Sequence, residues 1–182
     1  MKNELLKLLK TNSFQKGDFT LVSGKKSSYF LDVKQTALTA KGHLWIGTLF
    51  LNKIQEIKNI RAICGVELGG CSLASAVSIL SINLTYVSNA LNCLYVRKSS
   101  KDHGTKKMIE GDYSIIPNMK VVLLEDVTTT GNSSLKAIQI LRDNDIICNN
   151  IFSVVDRLEG AKENLEKHNV ELYSLFTIDQ FL

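Results

Sequence analysis

Apolar positions follow two rhythms along this chain of 182 residues. In the N-terminal third they recur at helical spacing, with Leu5, Leu8 and Leu9 inside Lys2 to Ser13, and Leu44, Trp45, Leu49 and Leu51 to Ile54 inside Ala40 to Ile57. Thr39 stands where it can cap the second of these helices. Between them, Phe19 to Val22 and Tyr29 to Val33 are β-prone runs around the turn residues Ser23 and Gly24, which predicts a hairpin. From Arg61 onward the rhythm changes to short unbroken apolar runs separated by helical stretches. Strands are predicted at 61–66, 93–98, 120–127, 148–156 and 171–178, and helices at 71–82, 131–145 and 160–169. Buried strands alternating with helices imply an α/β fold, a parallel sheet with helices on both faces, because parallel strands need crossover connections.

Composition adds exclusions. Apolar residues make up 45% of the chain, charged residues 22%, and the net charge is +4, which fits a folded globular domain and not a disordered one. A single domain over 1–182 is expected, since a chain of this size buries about two-thirds of its unfolded surface. The N-terminal leucines are interrupted by lysines, unlike a signal peptide, and no apolar run approaches a membrane span. Cys64, Cys71, Cys93 and Cys148 form no CxxC pair, so neither a zinc site nor a disulfide framework is indicated. A cytoplasmic protein with reduced thiols and no membrane partner is expected. The mild positive charge does not by itself call for nucleic acid, because one segment, 97–107, carries much of it. The chain stops at Leu182 without a second domain, so fusion to another catalytic unit is not expected.

The chemistry concentrates at VVLLEDVTTTGNSS, Val121 to Ser134. An apolar strand runs into Glu125 and Asp126, and then into Val127, Thr128, Thr129, Thr130, Gly131, Asn132 and Ser133 ahead of a helix. In open parallel sheets ligands bind beyond the carboxyl ends of the strands, and a helix N-terminus favours an anion there. The carboxylates repel that anion and must serve another part of the ligand, either a bound cation or sugar hydroxyls. A ribose 5-phosphate meets both demands. The bland alternative is a capped strand-to-helix turn, against which stands the cost of two negative charges at a buried strand end. Neither GxxxxGK[ST] nor GxGxxG occurs.

This stretch resembles the phosphoribosyl diphosphate motif of type I phosphoribosyltransferases. YVRKSSKDHGTKKMIEG, Tyr95 to Gly111, has the spacing R-K-x-x-K-x-H-G at Arg97, Lys98, Lys101, His103 and Gly104, and is similar to the flexible catalytic loop of the orotate phosphoribosyltransferases. Physically, a basic lid over a diphosphate supplies charge-assisted hydrogen bonds and excludes water. A solvated basic loop or a weak nucleic-acid contact is the alternative. Read from the residues alone, 99–111 is polar, without apolar periodicity, and predicted to be one long loop that buries little surface. GDFTLVSGKKSSYFLDV, Gly17 to Val33, resembles that family's hood, and VVDRLEG places Arg157 at the family's position for the orotate carboxylate. A guanidinium can grip a planar carboxylate in two places; a surface salt bridge is the other reading of Arg157.

What the resemblance implies is specific. The fold is the parallel-sheet type I phosphoribosyltransferase fold, with 1–38 as a small N-terminal hood. The reaction transfers ribose 5-phosphate from 5-phosphoribosyl 1-diphosphate to orotate, giving orotidine 5′-monophosphate and diphosphate. Lys98, Lys101, His103 and Asp126 are the catalytic candidates, with His103 or Lys101 as proton donor. Arg97, Lys98, Lys101, His103 and Glu125 to Ser133 bind the diphosphate donor, while Phe30, Leu31, Thr129 and Arg157 bind orotate. Mg²⁺ is held mainly through substrate, with no protein-only metal site, and the partner is a second copy of the chain whose lid reaches across a homodimer. A strained peptide near Glu67-Leu68 is also implied, a cis bond without proline being one form it can take. Three departures stand out: GVELGGCS, Gly65 to Ser72, lacks the lysine some members carry, Val22 replaces another, and Asn132 stands where Gly or Thr is common. A phosphoribosyltransferase for another base, or a non-catalytic sensor of the diphosphate donor, are the rival readings.

Overall fold

The two rhythms become two parts of the computed structural model, which describes residues 1–20, 24, 26–83, 90–99, 107–111 and 115–182. The N-terminal part is helix α1 (Lys2–Asn12), the antiparallel pair β1 (Phe14–Thr20) and β2 (Lys26–Leu31), a short helix α2 (Lys34–Ala37) and helix α3 (Ala40–Ile54). Thr39 caps α3 as its sequence position predicts, its Oγ1 accepting from the Gly42 N–H at 3.0 Å. There follow β3 (Ile60–Val66), α4 (Gly69–Asn83), β4 (Asn92–Val96), β5 (Ile109–Glu110), β6 (Lys120–Thr128), α5 (Asn132–Arg142), β7 (Ile147–Asp156), α6 (Ala161–Glu166) and β8 (Glu171–Thr177).

The main sheet has the order β5-β4-β3-β6-β7-β8, all parallel except β5. Chain direction across the sheet reverses between β3 and β6, which makes their carboxyl ends the expected ligand crevice. Side chains along β6 alternate between two cores, as pleated geometry requires. Val122 and Leu124 join Leu5, Ile46, Phe50, Leu73 and Phe152 under the α1, α3 and α4 layer. Val121 and Leu123 join Cys64, Ile138, Leu141 and Leu165 under α5 and α6. Phe50 and Phe152 meet edge to face at 5.8 Å, and burying each ring contributes about 2 to 3 kcal/mol.

Several boundaries differ from expectation. The hairpin's first strand starts at Phe14, well before Phe19, with a register shift between Lys16 and Phe19 that breaks its alternation. Helix α3 ends at Ile54 and not Ile57, and α5 and α6 stop at Arg142 and Glu166, short of the predicted 145 and 169. The segment 99–111, expected to be one loop with little to bury, contains β5, and Ile109 is 5% exposed in the second core. Two residues are too few to display a period, so pairing with β4 alone creates this strand. All four cysteines are free. Among the described residues no helix is long and apolar enough to cross a membrane.

Candidate active site

At the end of β6 the alternation that separates the two cores also separates the acidic pair. Glu125 follows Val121 and Leu123 toward α5, where it is 6% exposed and accepts a hydrogen bond from Ser134 Oγ at 2.9 Å. Burial pushes its carboxyl up to about 7, with the charge of Asp126 adding and the Ser134 hydroxyl and Lys98 ammonium opposing. Both carboxylates are expected beside the ligand; in the structure Glu125 is turned toward the first turn of α5. Ser134, absent from the predicted site, is its partner.

Asp126 points to the other side. Its Oδ1 accepts from the Val127 N–H at 2.9 Å, and its Oδ2 lies 3.7 Å from Lys34 Nζ, with 18% of the side chain exposed. Lys34 is also 2.7 Å from Asp32, whose carboxylate raises the lysine above its ordinary value. No motif marked Lys34; its position just after the hood strand is the only signal in the sequence. The start of α4 fits closely around Asp126, since a β-carbon on Gly69 would sit 2.2 Å from the Asp126 carboxyl carbon. The preceding Glu67-Leu68 peptide is cis, the form named above for this loop. The Glu67 N–H donates to the Val96 carbonyl, and Glu67 Oε2 accepts from the Lys98 N–H at 3.1 Å, which ties this loop to the exit of β4.

Between β6 and α5 lie only Thr129, Thr130 and Gly131. Gly131 has φ 77°, a left-handed conformation suited to glycine, and occupies the N-cap of α5 without any side-chain cap. The helix therefore starts with its first-turn N–H groups uncapped, an anion site in waiting. Thr128 is not part of that surface: it is 2% exposed and donates its hydroxyl to Ser153 at 3.3 Å. Val127 is half-buried against the first core, and the side chains of Thr130, Asn132 and Ser133 are exposed.

Across the strand ends, Arg157 follows β7 and its N–H donates to the Thr128 carbonyl. The guanidinium is engaged twice. Its Nε lies 2.9 Å from Glu159 and donates to the Tyr29 hydroxyl at 3.1 Å, while its carbon stands 5.0 Å from the centre of the Tyr29 ring. Tyr29 was missed because a strand aromatic reads as packing; the contact spans 128 residues of sequence. The predicted pair Phe30 and Leu31 lies on opposite faces of the strand, because neighbouring strand residues face opposite ways. Phe30 is 44% exposed and stacks on Phe19 at 5.6 Å, whereas Leu31 packs on the first core.

On the lid side, Arg97 pairs with Glu110 at 3.4 Å and Lys98 is exposed. Together with Lys136 they rim a cleft of about 350 Å³ floored by Val66 and Val96. Lys101 and His103 lie outside the described residues, as does Val22.

A crevice at a topological switch point, with a carboxylate, an uncapped helix start and a basic rim, fits the architecture of a phosphoribosyltransferase. The Phosphoribosyl transferase domain family matches residues 35–176. An orotate phosphoribosyltransferase of Sorangium cellulosum is 40% identical over 181 residues, covering 100% of this chain and 93% of that one. Its counterpart in Methanocaldococcus jannaschii is 43% identical over 180 residues, covering 98% and 96%. Among solved structures, Mycobacterium tuberculosis orotate phosphoribosyltransferase in complex with Fe(III) dicitrate superposes with a TM-score of 0.81 at 28% identity, over 99% of this chain and 98% of that one. The chain belongs to the phosphoribosyl transferase domain family and, within it, to the orotate phosphoribosyltransferases.

Proposed function

We propose that this chain transfers ribose 5-phosphate from 5-phosphoribosyl 1-diphosphate to N1 of orotate in pyrimidine biosynthesis. The observation that carries the reading is the placement of Asp126, the uncapped Gly131 turn and Arg157 around one crevice at the ends of β6 and β7. The 5-phosphate belongs on the N–H groups at the start of α5, with the exposed hydroxyls of Thr130 and Ser133 beside them. Asp126 takes the ribose hydroxyls. Arg157, held against Tyr29, exchanges Glu159 for the orotate carboxylate; Thr129 and the Tyr29 face of the hood strand complete the base site, with Phe30 on the opposite face.

In the reaction the anomeric C–O bond breaks, its electron pair leaving with diphosphate, and the N1–C bond forms as the N1–H bond breaks, that proton passing to the diphosphate or to solvent. Positive charge builds on the sugar and negative charge on the leaving group, so catalysis rests on positioning and electrostatics. Arg97, Lys98, Lys101 and His103 are the residues assigned to stabilise the departing charge, with Lys101 or His103 supplying a proton to the diphosphate. Among the described residues no three His, Cys, Asp or Glu converge to hold a metal. Glu125 is occupied by Ser134, which leaves Asp126 as the carboxylate a cation carried by substrate would meet. Asp126 would stand beside a Mg²⁺ brought in with the diphosphate donor, and the charge such an ion supplies would help neutralise the leaving group.

We read residues 1–182 as one catalytic domain whose 1–38 segment is the hood, acting in the cytoplasm as a homodimer without nucleic-acid or membrane partners. An apolar face supports the dimer. Leu44, Ile79 and Ile82 are 50%, 64% and 71% exposed on α3 and α4, the first two beside a cleft of about 560 Å³. A copy docked there would cover α4 from Ser72 onward, the helix that follows the Glu67-Leu68 peptide. An assay with orotate, the diphosphate donor and Mg²⁺ tests the reading. Product formation that collapses in Lys101→Ala is expected; an inactive parent, or turnover of another base only, overturns it.

A further inference from the structure

A site residue supplied by α6 lies outside every motif of the sequence. Asn164 Nδ2 donates to the Thr130 carbonyl at 2.7 Å and to Asn132 Oδ1 at 3.0 Å, so its two amide hydrogens clamp both sides of Gly131. The helix carrying it lies directly beneath that turn. A β-carbon on Gly131 would be 3.2 Å from Leu165 Cγ and 3.5 Å from the Ala161 carbonyl. We propose that Asn164 is a positioning residue for the phosphate end of 5-phosphoribosyl 1-diphosphate.

The reason is the geometry of a peptide unit. In a planar trans peptide the C=O and N–H point in opposite directions, so a fixed Thr130 carbonyl fixes the direction of the Gly131 N–H. Asn164 draws that carbonyl toward α6 and thereby aims the N–H away from α6, toward the crevice. Without the clamp, a left-handed glycine flanked by exposed Thr130 and Asn132 has other conformations open to it, and the cradle must be ordered at the moment of binding. The clamp also gives Asn132 a role: its side chain anchors the turn, and its main chain is left to the ligand.

The proposal rests on the phosphoribosyltransferase reading, and its test is separable from it. Asn164→Ala is expected to raise the KM for the diphosphate donor about three- to tenfold, the weight of one or two ordinary hydrogen bonds, with kcat and the KM for orotate nearly unchanged. Asn164→Asp, the same shape without the donors and with a negative charge near the phosphate, should be worse than Asn164→Ala. Because the Asn132 bond exists only through Asn164, adding Asn132→Ala to Asn164→Ala should cost less than it does in the parent. Calorimetric titration with the diphosphate donor and Mg²⁺ reads the same quantity without turnover. An enzyme inactive on orotate therefore overturns the proposed reaction and leaves this test standing. Unchanged donor affinity in Asn164→Asp, or equal losses for orotate and donor, would show that Asn164 supports the fold alone.

Discussion

Glu125→Gln separates the electrostatic cost of the acidic pair from its packing. Glu125 is 6% exposed, and its carboxyl releases its proton near pH 7 instead of near the ordinary 4.5. In the unfolded chain the same group ionises at the ordinary value. From about pH 4.5 to pH 7 the native state therefore holds a proton that the unfolded state has lost. The sign follows: stability is fully present below pH 4.5 and falls as pH rises through 7, at roughly 1.4 kcal/mol per pH unit at most, for a total of about 3 kcal/mol. Glutamine keeps an oxygen for the Ser134 hydroxyl and cannot ionise. Urea unfolding of both proteins at pH 5, 6, 7 and 8 measures the difference. Parent and variant should be close near pH 5, and the variant should be more stable by about 3 kcal/mol at pH 8, an order-of-magnitude figure. A stability difference that stays flat across this range refutes the reasoning, because the carboxyl would then titrate alike in both states.

Asp126→Asn should weaken donor binding at least about tenfold in calorimetric titration while leaving the urea midpoint in place, since the carboxylate is partly exposed and, in the proposed function, takes the ribose hydroxyls; parental affinity would remove it from the site. Tyr29→Phe keeps the ring against Arg157 and loses the 3.1 Å hydrogen bond, so the KM for orotate should rise about threefold to tenfold with donor KM unchanged. An unchanged orotate KM would mean the tyrosine only packs. Ile79→Glu places a charge on the exposed α4 face, and sedimentation should then report a monomer where the parent is a dimer; a parent that is monomeric itself contradicts the assembly. Mixing Lys101→Ala with Asp126→Asn subunits should restore one intact site per heterodimer, and heterodimers confirmed by mass without recovered activity would place each lid on its own subunit.

What the sequence by itself determined is what short-range pattern encodes. Unbroken apolar runs such as Val121 to Leu124 require burial on both faces, and helical spacing between them requires crossovers, so the layered α/β fold was legible throughout. The acidic pair, the Gly131 turn and the basic spacing from Arg97 were legible because their chemistry is local. Contacts between distant segments were not. Whether Glu125 or Asp126 faces the crevice depends on which core α5 covers, and Ser134 decides it. Tyr29 reaches Arg157 across 128 residues and Asn164 reaches Thr130 across 34, and neither spacing leaves a trace in composition or period. β5 and α2 are two and four residues long, shorter than any periodic signal, and exist because β4, α1 and α3 offer surfaces to pack on. A chain announces which residues must be buried or charged; only packing assigns each of them a partner, since that choice is made by surfaces that are far apart in sequence until the fold closes.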